Sequence, residues 1–216
     1  AGAASAVWMS AAGLVAAALL AYGGSFPVPF VLDDFRWIVE SPSLGHWAAV
    51  WASLSLDNRP LVMLSLGVNY ALGGLDVRGY HAFNFAVHAA AGWLLFGIVR
   101  RVIGRLNRRS SRPLPALSLA FSVALIWLIH PLQTQSVTYV IQRCESMMGM
   151  FFLLCLYCVI RGSQSRRGWL WYAASIVACV LGLGCKEVMV TAPPVVLLYD
   201  RVFLSASWRE LFRRRG

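Results

Sequence analysis

Residues 80–101 read YHAFNFAVHAAAGWLLFGIVRR, twenty residues without a lysine, arginine, aspartate or glutamate that close on two adjacent arginines. At 1.5 Å of rise per residue, a helix of this length covers about 30 Å, the thickness of a bilayer's hydrocarbon core. The arginines then fall where the chain leaves hydrocarbon.

Outward from this stretch the pattern repeats. Apolar runs occur over 6–22, 114–129, 146–160, 169–184 and 188–199, so the chain reads as an all-α polytopic membrane helix bundle of about six spans. Residues 1–216 form one transmembrane domain. The first run lacks the basic n-region of a secretory signal and is read as a span. The last is short and carries Pro193 and Pro194, which suits a kinked or re-entrant segment whose freed backbone groups are covered by neighbours. Between the first two spans, residues 25–79 form a polar-bearing outer loop. Within it, 46–56 and 61–72 have bulky apolar residues at helical spacing and are expected as interfacial helices, with Trp37, Trp47 and Trp51 in the aromatic belt.

Composition agrees. Of 216 residues 59% are hydrophobic and 13% charged, with a mean hydropathy of +0.65, far from an ordinary soluble domain. The formal charge of +10 would suggest a nucleic-acid partner if the basic residues formed one surface. They instead cluster in short runs between apolar stretches, so nucleic-acid binding is set aside. With the N-terminus inside, the inner loops and tail hold fourteen of the nineteen Lys and Arg, while the outer segments hold seven of the nine acids. That asymmetry places both termini on the cytoplasmic side. The five cysteines mostly sit within apolar runs and read as packing residues. Cys155 and Cys158 have a two-residue spacing but no second pair or histidine to complete a zinc site.

On the outer side, charges gather at span ends: Asp33 and Asp34, Arg59, Arg143 and Glu145, Lys186 and Glu187. Such charges can anchor span ends by snorkelling, or can form a site, because ionisable groups beside hydrocarbon are often functional. Asp33 and Asp34 lie among Phe30, Val31, Leu32, Phe35 and Trp37, a setting that suits a general base and equally a helix N-cap followed by a first-turn acid. The pair permits a divalent metal without demanding one. Arg143, Lys186 and Arg59 have the donors to meet a phosphate. His81, His88 and His130 sit on or beside apolar runs and read as hydrogen-bonded structural histidines.

Four segments in order, VLDDFRWI from residue 31, the stretch from Asn58 to Phe96, IHPLQTQSVTYVIQRCESMMGMFFLLCLYC from Ile129, and LGLGCKEVMVTAPPVVLLYD from Leu181, carry a resemblance. Together they resemble the membrane half of the transmembrane and tetratricopeptide-repeat O-mannosyltransferases and their bacterial relatives, in the GT-C superfamily. The resemblance implies a membrane glycosyltransferase that moves a sugar from a polyprenyl-phosphate donor to a protein hydroxyl on the outer face of a bacterial inner membrane. It implies Asp33 or Asp34 as catalytic base, Arg59, Arg143 and Lys186 as donor-phosphate ligands, and Glu145, Glu187 and His130 as orienting groups. It covers most of residues 30–200. The family continues with further spans and a repeat domain, and the 34-residue repeat signature is not found in this sequence. The expectation therefore divides between the first part of a longer enzyme and a non-catalytic, transferase-like subunit packing within a larger integral membrane complex, through small-residue faces such as Ala89 to Gly92. If there is a site, the seven outer charges should converge at one membrane boundary.

Overall fold

A computed structural model of the chain describes residues 2–41, 44–46, 48, 50–52, 59–108, 110–205, 207 and 209. Among these, eight α-helices, joined by short 3-10 and π turns, make up the regular structure and no strand occurs. They are α1 (Gly2–Tyr22), α2 (Pro60–Gly73), α3 (Val77–Asn107), α4 (Ala116–Leu128), α5 (Thr134–Thr138), α6 (Arg143–Gly162), α7 (Gly168–Leu183) and α8 (Ala192–Tyr199). Most of the expected interfacial helix at 46–56, with Trp47 and Asp57, lies outside the described residues.

Among the described residues, three helical segments are long and apolar enough to cross a membrane, Ala4–Ser25, Val77–Asn107 and Val140–Gly162. A fourth is reached if α4 and the following segment Pro131–Thr138, bent by 52°, count as one span. The expected count of about six is not reached on length and composition. The run at 169–184 forms the 16-residue α7, and the run at 188–199 divides into a 3-10 turn, Glu187–Thr191, and the 8-residue α8. Pro193 and Pro194 explain the division, since neither has an N–H to give and both suit a first helical turn.

Helix α3 is the axis. Asp76 starts it, its side chain accepting the Arg78 N–H at 3.1 Å, and it continues past Arg100 to Asn107 because arginine is a good helix former. The preceding turn uses Gly74 at φ 58°, a left-handed C-terminal residue of α2, locked by the Tyr80 hydroxyl donating to the Gly74 carbonyl at 2.9 Å. Gly92 allows α4 to approach α3 closely, because an added Cβ would run into the fully buried Leu128. The small-residue stretch at 89–92 thus serves contact within this chain.

The bend after α4 is held by paired backbone groups. The Leu128 carbonyl, left over at the end of α4, accepts the Tyr22 hydroxyl at 3.2 Å and the His88 Nε2–H at 2.8 Å. His88 also stacks on Trp127, with ring centroids 5.1 Å apart. Apolar side chains of α1, α4 and α7, such as Leu20, Ile126 and Ile176, point outward, as lipid-facing positions do. Helix α2, expected at the interface, buries Val62, Met63, Ser65, Leu66 and Asn69 against the rest of the bundle.

Candidate functional site

The short segment from Tyr139 to Glu145 lies between the bent pair and the body of α6. Its backbone breaks from helix at Tyr139, turns through the 3-10 stretch Val140–Gln142 and enters α6. The irregular turn leaves N–H and carbonyl groups open, and side chains from distant elements take them. Asn84 of α3 donates to the Val140 carbonyl at 3.2 Å. Asp34 accepts the Ile141 N–H at 2.8 Å through Oδ1 and the Val31 N–H at 3.1 Å through Oδ2.

The two aspartates therefore differ. Asp34 is buried with both oxygens occupied by backbone donors, and burial pushes its carboxyl up from the ordinary value, although the N–H donors of Val31 and Ile141 and the nearby His81 work the other way. Asp33 is exposed, and its own N–H donates to the Tyr139 hydroxyl at 3.0 Å. The Tyr139 hydroxyl is itself raised, chiefly by desolvation and further by the Asp33 and Asp34 carboxylates. Leu32, just before the pair, has φ 48°, an unusual conformation for a branched residue and a local cost of order 1–3 kcal/mol. Consecutive helical positions point about 100° apart, so Asp34 turns inward while Asp33 stays exposed. The pair consequently does not present two open carboxylates to one cation, and among the described residues no cluster of three or more His, Cys, Asp or Glu is arranged to hold a metal.

Arg143 is fully buried. Its guanidinium donates to Asn69 Oδ1 at 2.8 Å, Ser65 Oγ at 3.3 Å and the Tyr80 carbonyl at 3.3 Å, and lies 4.6 Å from the centre of the Phe83 ring. A guanidinium so enclosed ties α6 to α2 and α3 and lines neither cavity beside it. The expectation of a phosphate-facing Arg143 gives way to a scaffold role, because sequence position placed it at the span end while helix packing turned it inward.

Two cavities flank the segment. One of about 600 Å³ is lined by Trp37, Arg59, Val62, Met63, Ile141, Cys144, Leu183 and Glu187. Its Arg59 points at Cys144, Nη1 to Sγ being 3.6 Å. The other, of about 410 Å³, has His88, Gln133, Gln142, Glu145 and Ser146 among its walls. Lys186 and Glu145 form an ion pair between α6 and the turn after α7, both partly exposed. Cys185, next to that lysine, is buried and its thiol is pushed up to about 12, which makes it an inert packing group.

Of the expected site residues, Asp33, Asp34, Arg59 and Lys186 reach Tyr139–Glu145, which itself contains Arg143 and Glu145, and Glu187 shares the larger cavity with Arg59. His130 does not join them. It is exposed, its Nδ1 accepts the Leu132 N–H at 3.2 Å, and it caps the 3-10 turn after the bend. Tyr139, Asn69 and Asn84 were not singled out from sequence. The signal was there in an asparagine within an apolar helix, which must find a partner once water is excluded.

No protein-family profile and no solved structure matches the chain. Curated relatives do. It is 29% identical over 181 residues, 81% of its length, to protein O-mannosyl-transferase Tmtc1 of Drosophila melanogaster. It is 29% identical over 200 residues, 84% of its length, to TMTC2 of Mus musculus, and 27% over 206 residues, 85% of its length, to TMTC4 of Homo sapiens. These alignments cover 18%, 23% and 28% of the respective relatives. Over most of its length the chain is thus homologous to proteins named protein O-mannosyltransferases, and it spans less than a third of each of them.

Proposed function

We propose that this chain forms the outer-face reaction region of a GT-C type membrane glycosyltransferase, which moves a sugar from a polyprenyl-phosphate donor to a protein hydroxyl. The observation that carries the reading is the convergence, on Tyr139–Glu145 beside a 600 Å³ cavity, of charges spread from residue 33 to residue 187. Anchors alone would point apart toward headgroups. The names of the relatives supply the protein acceptor and the sugar.

In this reading Asp33 is the base, since it is the aspartate whose carboxylate is not committed to backbone donors. It takes the proton as the acceptor oxygen bonds to the anomeric carbon, while the bond from that carbon to the phosphate oxygen breaks and its electron pair leaves with the phosphate. Arg59, which lines the larger cavity, and Lys186, at its Glu145 pair, balance the charge that develops on the leaving group. Asp34, Arg143 and Glu145 position these groups. The donor's phosphate lies at the outer boundary of a bacterial inner membrane, with the arginine-rich loops and both termini on the cytoplasmic side.

The test is transfer from a polyprenyl-phosphate sugar to a serine- or threonine-bearing peptide, using membranes that contain the intact gene product. Asp33→Asn should lower the rate at least 100-fold with the midpoint of thermal unfolding unchanged. Undiminished transfer removes Asp33 from the chemistry. Absence of transfer by the unaltered protein, together with fixed-stoichiometry purification in a larger complex, favours the non-catalytic subunit.

A further inference from the structure

The Asn107 end of α3, remote from Tyr139–Glu145, carries an arrangement that sugar transfer does not use. An apolar cavity of about 480 Å³ opens among α1, α3 and α6, with Trp8, Trp93, Phe96 and Leu154 in its walls, and it ends at Arg100 and Arg101. A polar cavity of about 590 Å³ is lined by Arg101, Gly104, Arg105, Arg108, Ser163 and Gln164. Arg101 belongs to both, so an apolar space and a cationic one adjoin at a single guanidinium. Among the described residues neither cavity is lined by an acidic side chain; Asp200, beside Tyr199, is buried and accepts from the Ser205 hydroxyl.

Arg101 and Arg105 of α3 and Arg108, the residue that ends it, follow one another at spacings of four and three, which keeps them on one side of the chain. Arg101 is held in place, donating to the Gly97 carbonyl at 3.0 Å and lying 4.7 Å from the Tyr157 ring centre. Arg100 and Arg161 are near enough to repel it. Arg161 is fixed against Trp171 at 4.8 Å, with its Nε buried and without a partner. Partly buried cations of one sign call for a counter-anion, and here the anion must also account for an apolar cavity between membrane-crossing helices.

We infer that the paired cavities bind an anionic phospholipid, its phosphodiester against Arg101, Arg105 and Arg108 and an acyl chain in the space among α1, α3 and α6. A free phosphate would satisfy the arginines and leave the apolar space unexplained. The assignment rests on the membrane character of the helices and is independent of the transferase reading.

Native mass spectrometry of the purified full chain in detergent, with phosphatidylglycerol and phosphatidylcholine added in equal amounts, reads it directly. One phosphatidylglycerol should be retained in preference to phosphatidylcholine. Arg101→Gln with Arg105→Gln should reduce that preference about 25-fold, about fivefold for each cation lost near an anionic headgroup. Arg78→Gln, at the other end of α3, should leave it intact. Ala11→Phe, which narrows the apolar cavity, should weaken phosphatidylglycerol retention, with the unfolding midpoint in lipid-free detergent checking that the fold survives. Equal retention of the two lipids by the unaltered chain overturns the proposal. So does an unchanged preference in the double arginine variant, or the same loss in Arg78→Gln, which would reflect net charge alone. Displacement of the lipid by millimolar inorganic phosphate would identify the ligand as a free anion and reject the lipid.

Discussion

Replacing Arg143 by alanine separates a scaffold from a phosphate ligand. The side chain donates three hydrogen bonds, to Asn69, Ser65 and the Tyr80 carbonyl, and has no exposed surface. Bonds from a charged donor contribute about 1.5–3 kcal/mol each, and acceptors left behind in a buried site cost about 1–3 kcal/mol. Removing the guanidinium also removes the cost of burying its charge, which offsets part of these losses, and a net cost of about 3–5 kcal/mol is expected, in the range of large-to-small changes at fully buried positions. For a chain of this size, each kcal/mol lowers the unfolding midpoint by about 2–4 °C, which puts the expected fall at roughly 10 °C. Thermal unfolding of the detergent-solubilised protein measures it. Combining Arg143→Met with Asn69→Leu should cost at least about 1 kcal/mol less than the sum of the single changes, because both remove the same bond. If Arg143→Ala leaves the midpoint in place and instead raises the apparent KM for the lipid-linked donor, the side chain faces the cavity and the scaffold assignment is wrong.

Asp34→Ala should destabilise the fold by about 2–4 kcal/mol, since it strands the Val31 and Ile141 N–H groups, whereas Asp33→Ala should change the midpoint little; equal effects in urea-free thermal melts would contradict the distinction. The folded state holds the Asp34 proton more tightly than the unfolded chain, so its stabilising contribution is fully present below about pH 3.8 and is lost as pH rises through the higher folded value. Asp34→Asn should flatten that fall, and a slope identical to the unaltered protein's would assign it to another group. The Lys186–Glu145 pair is partly exposed, so a double-mutant cycle should give a coupling of at most about 1 kcal/mol that shrinks in high salt; a larger, salt-insensitive coupling would place the pair in a dry environment. Gly92→Val should cost about 1–3 kcal/mol by forcing α3 from Leu128, and an unchanged midpoint would show that the two helices can separate freely.

The membrane character and the helical class were legible in the sequence, because each depends on local quantities, run length and hydropathy. The YHAFNFAVHAAAGWLLFGIVRR stretch suffices to identify a membrane-length helix, and it lies within the longest helix among the described residues. Which charged side chains open onto a cavity depends instead on which helices pack together. Arg143, Asp33 and Asp34 occupy similar positions in a hydropathy trace. Arg143 is nevertheless enclosed because α2 brings Ser65 and Asn69 to its guanidinium, and the aspartates differ because Asp34 is buried where the Val31 and Ile141 N–H groups meet its carboxylate. The segment count behaves alike. The run at 188–199 is apolar enough to suggest a span, yet its prolines start a new short helix there, and only the folded backbone decides where that break falls.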